Sequence, residues 1–136
     1  MAATVPVDVE LVWQSDLVFK APDGAVPLTL DSDGKAGPSP VQALAYALAG
    51  CMGMDVVHIL TKGRFEVSVC RVKLHGERAP QEPRRILRAA LHFALRTNAP
   101  SDKVERALAL SRETYCSVWH SLRADIALDT TFEIAP

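Results

Sequence analysis

Residues 39–63, SPVQALAYALAGCMGMDVVHILTKG, decide how the rest of the chain is arranged. Ser39 followed by Pro40 is typical of a helix start, and Gln42 stands three residues after the serine, as in a capping box. Lys62 and Gly63 are typical of a helix end. The six or so turns between these signals span about 35 Å. Because apolar residues occupy nearly every side, we expect the helix to be buried on most of them.

The composition is that of an ordinary globular protein. The 136 residues are 49% hydrophobic and 23% charged, with a formal net charge of −1. This length predicts a single domain over residues 1–136. The charge balance gives no reason to expect nucleic acid or an anionic membrane as a partner. No uncharged apolar run reaches ~18 residues and the N-terminus lacks a signal-peptide pattern, so we expect a cytoplasmic protein without a membrane span.

Three short strands are predicted before the helix. Apolar residues alternate with others over residues 5–13, which predicts a half-buried strand. Residues 17–21 and 26–30 predict two more strands, with Asp23 and Gly24 as a hairpin signal between them. Tight turns between consecutive strands indicate an antiparallel meander. Residues 31–38 are polar and glycine-rich, and predict a loop.

The second half predicts two strands, a helix and a last strand. The strands cover residues 65–75, with a bulge near Cys70, and 87–96, followed by a helix from Ser101 or Asp102 to about Arg123. Residues 126–134 predict the last strand. The order β-β-β-α-β-β-α-β indicates an α+β fold, an antiparallel sheet packed on two long helices. A monomer of this size does not have enough chain to cover every side of such an apolar helix, so we expect a homodimer that buries the helix between its subunits.

Two cysteines each lie near the middle of a predicted long helix. Asp55 and His58 follow Cys51 by four and seven residues, and helical geometry places all three on one face. His120 follows Cys116 by four residues and shares its face in the same way. Each helix therefore presents a thiol beside a possible proton partner.

The spacing leaves three interpretations of these thiols open. They can be inert core residues, as free cysteines often are. They can be a redox pair in which one thiolate attacks and the other closes a disulfide. They can also belong to a zinc site, although the short paired loops of structural sites are absent. The zinc set would be Cys51, Asp55, His58, Cys116 and His120. The third cysteine, Cys70, lies in a strand and is expected to be inert.

Two motifs carry a resemblance to a known family. The first, SPVQALAYALAGCMGMDVVHIL, covers residues 39–60, and the second, VERALALSRETYCSVWHSL, covers residues 104–122. Together they resemble the OsmC/Ohr family of osmotically induced and organic hydroperoxide resistance proteins. The resemblance extends over nearly the whole chain. It is greatest to the branch with Gly-Cys-x-x-x-Asp-Val-Val rather than to the founding peroxidases.

The resemblance implies a fold and an activity. The fold is an intertwined homodimer whose sheets wrap two long helices, with active sites at the interface. Cys51 matches the peroxidatic cysteine and Cys116 the resolving cysteine of a thiol peroxidase that reduces organic hydroperoxides in oxidative-stress defence. A dithiol reductant, such as a lipoylated protein, would reopen the disulfide, and no cofactor is implied. The supporting residues would be Asp55, Gln42, His58 and His120.

The sequence departs from the peroxidase branch at two charged positions. That branch has a glutamate ten residues before the first cysteine, where this chain has Val41, and an arginine in its N-terminal strands, where this chain has none before Arg64. In that branch the arginine stabilises the thiolate and pairs with the glutamate. Two further hypotheses therefore stand beside the peroxidase. One is a non-catalytic dimer of the same fold that binds a small apolar ligand, and the other is a metal-binding protein that uses the Cys/His face.

Overall fold

The structure is a computed structural model, and it describes residues 3–135. Their contacts divide the chain into two compact units, one ending at Leu44 and the other beginning at Ala45. A single domain over residues 1–136 therefore stays a prediction. The order of strands and helices is the predicted one, and the α+β class is confirmed.

The first unit holds a small antiparallel meander, as predicted. Its strands are β1 (Val12–Ser15), β2 (Val18–Lys20) and β3 (Thr29–Asp31), paired in that order. The buried Asp31 carboxylate accepts backbone N–H groups from Asp33, Lys35 and Ala36, at 2.9, 3.2 and 2.9 Å. The Ala36 bond contributes most to lowering the pKa of Asp31 below its usual value. Asp31 thereby fixes the predicted loop after β3.

The long strand predicted at residues 5–13 is wrong over most of its length. Only residues from Val12 onward pair, and residues 5–11 have no regular structure. The side chains of Val5, Val7 and Val9 are 87, 89 and 90% exposed. Alternation describes a strand only when a neighbouring strand accepts its backbone hydrogen bonds, and these residues have no such neighbour within the described chain.

Helix α1 (Pro40–Lys62) begins and ends within one residue of the predicted limits. The Gln42 N–H donates to Ser39 Oγ at 3.2 Å, which confirms the serine cap. Within this chain, however, the prediction that α1 is buried on most sides is wrong, because Tyr46 and Met54 are 66 and 74% exposed. By length and composition alone α1 could cross a membrane, contrary to the prediction of no such segment. The core helix of a soluble protein can have the same length and composition.

The second unit contains a three-stranded sheet formed by β4 (Val67–Arg78), β5 (Ile86–Thr97) and β6 (Ala127–Ala135), in that order. Strands β4 and β5 are antiparallel, but β5 and β6 are parallel, so the prediction of a wholly antiparallel sheet is wrong. The connection from β5 to β6 passes through helices, which lets the chain return in the same direction. The bulge predicted near Cys70 is also displaced, since the register shifts near Val67–Val69 and Glu77–Arg78.

The second predicted helix is broken. Helix α2 (Ser101–Leu110) passes into a π-helical turn (Ser111–Tyr115), and α3 (Ser117–His120) follows. Cys116 separates them with extended backbone angles, φ −74° and ψ 97°. Pro100, without a side-chain cap, precedes α2, so the predicted Ser101 or Asp102 cap is wrong. Two long continuous helices are therefore replaced by one long helix and a helix with a break at the second thiol.

One hydrophobic core fills the second unit. It combines one stripe of α1 with the inward residues of β5 and the buried face of α2. The stripe on α1 recurs every four residues, as one face of a helix does. The largest fully buried side chains of this core include Met52, Phe93, Leu91, Leu95 and Val104. Cys116 belongs to the same core and is fully buried.

Candidate thiol site

Two thiols and a carboxylate meet in the second unit. The Sγ atoms of Cys51 and Cys116 and a carboxylate oxygen of Asp55 all lie within 4.8 Å of one another. Cys51 and Asp55 are one turn apart on α1 and are half-buried, whereas Cys116 is fully buried. All three cysteines of the chain are free thiols. We call Cys51, Asp55 and Cys116 the thiol cluster.

The break after α2 places Cys116 in this cluster. Its N–H donates to the Ser111 carbonyl oxygen at 2.8 Å, which closes the π-helical turn. At Cys116 the backbone becomes extended, and the Trp119 N–H then donates to Cys116 Sγ at 3.3 Å. The thiol therefore acts as the N-cap of α3. A regular helix through this region would carry residue 116 in a different direction, since a π turn shifts the face that follows it.

A buried serine holds the carboxylate. Ser111 Oγ donates to Asp55 Oδ2 at 2.8 Å, and the serine side chain is fully buried. Sequence reasoning missed Ser111, although a signal was present. It continues the buried face of α2 at helical spacing after Val104 and Leu108, and a serine on an apolar face requires a polar partner. Asp55 is that partner.

The surroundings of Cys116 keep its proton in place. Burial raises the pKa of Cys116 to about 11, and the nearby Cys51 thiol and Asp55 carboxylate act in the same direction. The Trp119 N–H opposes them, because it favours the thiolate. Near neutral pH Cys116 is therefore a neutral thiol, and of the two sulfurs Cys51 is the one that is more open to solvent.

Several predicted site residues lie elsewhere. His120 is exposed, and its Nε2 is 2.9 Å from the Arg112 carbonyl oxygen. The shared face predicted for His120 and Cys116 is wrong, because Cys116 caps α3 with extended backbone angles and its side chain is buried. Gln42 lies in the first turn of α1, where its backbone N–H binds the cap. Cys70 lies half-buried on β4, where burial raises its pKa. Of the five residues in the predicted zinc set, three come together.

A cavity adjoins the cluster at Asp55. Its volume is about 510 Å³. The exposed His58 side chain lies on its wall, so it is near Asp55 without joining the cluster. The wall combines apolar groups with two basic side chains and consists of Asp55, His58, Ile59, Lys62, Gly63, Leu110 and Tyr115.

Comparison with known proteins gives consistent matches over nearly the whole chain. The family model described as "OsmC-like protein" matches residues 32–131. Protein YhfA of Escherichia coli strain K12 is 36% identical over 125 residues, 90% of this chain and 93% of YhfA. A crystal structure of a hypothetical protein from Aquifex aeolicus VF5 covers 97% of this chain and 98% of its own, with 26% identity and a TM-score of 0.88.

A solved structure with a described activity shares the fold. The organic hydroperoxide resistance protein OsmC from Legionella pneumophila superposes with a TM-score of 0.71 over 97% of this chain and 99% of its own. Its sequence identity is 14%, so this likeness concerns the fold alone. It confirms the α+β architecture predicted from the sequence.

Proposed function

Because this chain belongs to the OsmC-like family, we propose that it reduces organic hydroperoxides to alcohols, with Cys51 as the attacking thiol and Cys116 as the resolving thiol. The observation that carries the proposal is the thiol cluster, in which both sulfurs and a carboxylate lie within 4.8 Å. Two sulfurs this close need only a small movement to form a disulfide bond. Two structural neighbours that share the fold at 14% identity are described as organic hydroperoxide resistance proteins.

The proposed reaction has two steps at the sulfurs. The Cys51 thiolate attacks the terminal peroxide oxygen, the O–O bond breaks, and the alkoxide leaves as the alcohol after taking a proton. Cys51 is then a sulfenic acid. The Cys116 sulfur attacks the Cys51 sulfur, a disulfide forms, and the hydroxyl leaves as water with the Cys116 proton. Two thiols are oxidised and one hydroperoxide is reduced to an alcohol and water.

Exposure and protonation support the proposed division of roles. Cys51 is half-buried and can be reached by a substrate, whereas Cys116 is fully buried and retains its proton. A protonated thiol is a poor nucleophile, which suits a residue that reacts second. Asp55 lies beside both sulfurs and can pass the Cys116 proton to the leaving hydroxyl during the second step. Ser111 holds that carboxylate in position.

The cavity beside Asp55 is the proposed substrate site. A volume of about 510 Å³ is within the range of small-molecule sites. Ile59, Leu110 and Tyr115 give it an apolar wall for the organic part of a hydroperoxide. The same wall also suits a small apolar ligand, which keeps the non-catalytic hypothesis open until the thiols are tested.

Exposed apolar surface supports a homodimer. Tyr46 and Met54 on α1 are largely exposed, as are the alternating Val5, Val7 and Val9. A second copy that covers α1 and pairs with residues 5–11 would bury both surfaces. We propose that this dimer works in a reducing cytoplasm, where a dithiol reductant such as a lipoylated protein reopens the disulfide. Analytical ultracentrifugation that gives only monomer at micromolar concentration would contradict the dimer.

Mass spectrometry tests the redox chemistry. Reduced protein treated with one equivalent of cumene hydroperoxide should lose two hydrogens and form a Cys51–Cys116 disulfide. Cys51→Ser should abolish this change. Cys116→Ser should instead accumulate a sulfenic acid at Cys51 that dimedone traps.

Cys70→Ser is the matched control, since it removes a thiol outside the cluster. It should form the disulfide as readily as the unchanged protein. If the unchanged protein consumes no hydroperoxide, the redox proposal fails and the ligand-binding hypothesis takes its place. If Cys70→Ser loses the reaction while the unchanged protein retains it, a pair of thiols other than Cys51 and Cys116 reacts.

A further inference from the structure

We propose that the reduced thiol cluster is also a binding site for one Zn²⁺ ion, held by the Cys51 and Cys116 sulfurs and the Asp55 carboxylate. The site goes beyond peroxide reduction, because metal binding needs neither a peroxide nor a change in oxidation state. It also differs from the zinc set suggested by sequence spacing, since neither His58 nor His120 takes part.

The distances suit a tetrahedral ion. Two thiolates bound to zinc at ~2.3 Å each lie about 3.8 Å apart, and a carboxylate oxygen lies at a similar distance from each sulfur. The three ligand atoms are already within 4.8 Å of one another. At most about 1 Å of side-chain movement therefore brings each pair to the spacing required by zinc.

The donor chemistry also suits zinc. Zinc binds thiolate sulfur and carboxylate oxygen, whereas magnesium and calcium prefer oxygen donors alone. Zinc displaces the protons of both thiols into solvent as it binds. The resulting two thiolates and the carboxylate carry three negative charges against the two positive charges of the ion. The donors come from two separate segments, with Cys51 and Asp55 one turn apart on α1 and Cys116 at the start of α3.

A second observation supports the carboxylate as a ligand. Ser111 Oγ, which is fully buried, donates to Asp55 Oδ2 at 2.8 Å. Groups behind a metal ligand commonly fix its orientation by a hydrogen bond of this kind. One such bond leaves the remaining carboxylate lone pairs free for an ion.

The cavity supplies an entry path. Asp55 is the one residue of the cluster among those that line the cavity, so an ion that enters from solvent meets the carboxylate first. Three protein ligands leave the fourth tetrahedral position open, as in zinc sites that bind an exchangeable molecule. A water or a small thiol in the cavity can fill that position.

Cobalt titration of the whole protein tests the site. Protein that has been fully reduced and freed of metal with a chelator is titrated anaerobically with Co²⁺. We expect a near-ultraviolet thiolate-to-cobalt band and visible bands of tetrahedral cobalt, saturating at one ion per chain and reversed by Zn²⁺. Asp55→Asn keeps both thiols and should weaken Zn²⁺ binding at least tenfold. Ser111→Ala should weaken it about tenfold, as changes behind metal ligands do.

Two variants serve as matched controls. Cys70→Ser removes a thiol outside the cluster and His120→Gln removes a histidine of the alternative zinc set, and both should leave the cobalt spectrum and affinity unchanged. Circular dichroism of each variant checks the fold. If Asp55→Asn does not fold, Zn²⁺ protection of Cys51 from alkylation in the unchanged protein, read by peptide mass spectrometry, decides the question.

Distinct results overturn the proposal. Absence of the thiolate-to-cobalt band, equal Zn²⁺ affinity in folded Asp55→Asn, or loss of the spectrum in His120→Gln would each rule out this ligand set. The titration contains no peroxide, so its failure leaves the hydroperoxide assay unaffected. A protein that binds Zn²⁺ and ignores cumene hydroperoxide would support the metal site and contradict the peroxidase.

Discussion

Replacing Ser111 by alanine removes the hydroxyl that donates to Asp55 Oδ2 at 2.8 Å. The serine is fully buried, and its backbone carbonyl, which accepts the Cys116 N–H, is unaffected by the substitution. A hydrogen bond to a charged group contributes about 1.5–3 kcal/mol. Asp55 is half-buried and can recover part of its hydration, so we expect a loss of about 1.5 kcal/mol in the free energy of unfolding. For a chain of this length, this lowers Tm by roughly 5 °C.

Urea unfolding of the reduced protein, followed by circular dichroism, measures this loss. The protomer concentration must be the same for every variant, since association would add to the apparent stability. Ser121→Ala is the matched control. Its Oγ donates to the Ser117 carbonyl oxygen at 2.7 Å, but the side chain is exposed, so we expect a loss below about 0.5 kcal/mol.

A double-mutant cycle separates this hydrogen bond from packing effects. Asp55→Ala and Ser111→Ala are measured singly and together. If the hydrogen bond operates, the two losses overlap and the coupling energy is about 1 kcal/mol. Additive losses, or a Ser111→Ala loss no larger than that of Ser121→Ala, would refute the view that Ser111 stabilises the fold by holding Asp55.

Three further predictions follow from individual residues. The pKa of Cys116 is about 11 in the fold against 9.0 for a free thiol, so the unfolded chain loses this proton first. Stability is therefore retained below pH 9 and falls by up to about 3 kcal/mol as pH rises toward 11. Cys116→Ser should remove this pH dependence in urea titrations. Gly50→Ala should stabilise α1 in the monomer by about 0.5–1 kcal/mol in thermal melts at protomer concentrations too low for association, because within one chain the nearest neighbour of the added Cβ is at 4.0 Å. Gly53→Ala should gain less, because its Cβ would lie 3.1 Å from Val72 Cγ2. Asp31→Ala should destabilise the loop after β3 and raise the hydrogen-exchange rates of its amides. In the unchanged protein, the contribution of Asp31 to stability is present above pH 3.8 and is lost as pH falls below it.

Local sequence signals predicted the parts of the fold that depend on local chemistry. The limits of α1 follow from Ser39 and Pro40 at one end and Lys62 and Gly63 at the other, and the structure agrees to within one residue. The alternation in β5 likewise follows from which side chains face the core. In each case a few neighbouring residues determine the outcome.

The features that sequence reasoning missed depend on distant partners. Nothing near residues 5–11 shows that a neighbouring strand is lacking, and alternation cannot distinguish a parallel from an antiparallel partner for β5. The break at Cys116 accompanies a π turn whose first residue, Ser111, binds Asp55 on another helix. Helical periodicity continues through that turn in the sequence, so only the fold shows where the helix ends.

The same break brought the thiols together in a way that spacing could not predict. Cys51 and Asp55 were expected to share a face, and they do, because both lie on α1. The same rule predicts His120 beside Cys116, but it applies to residues with helical backbone angles, and Cys116 caps α3 with extended ones. The catalytic roles of Cys51 and Cys116 stay a proposal until the thiols are tested.

The Trp119 backbone N–H donates to Cys116 Sγ, so the residue that carries a fluorophore lies next to the sulfur. Cys116 Sγ caps the N-terminus of the four-residue helix α3 by accepting this N–H. A covalent bond or a cation at the sulfur withdraws electron density from it and so weakens the capping hydrogen bond. The indole of Trp119 lies within that helix, so its emission intensity should change with the chemical state of the sulfur. In a Trp13→Phe background, which leaves one indole in the chain, stopped-flow fluorimetry could then follow each turnover without an added label.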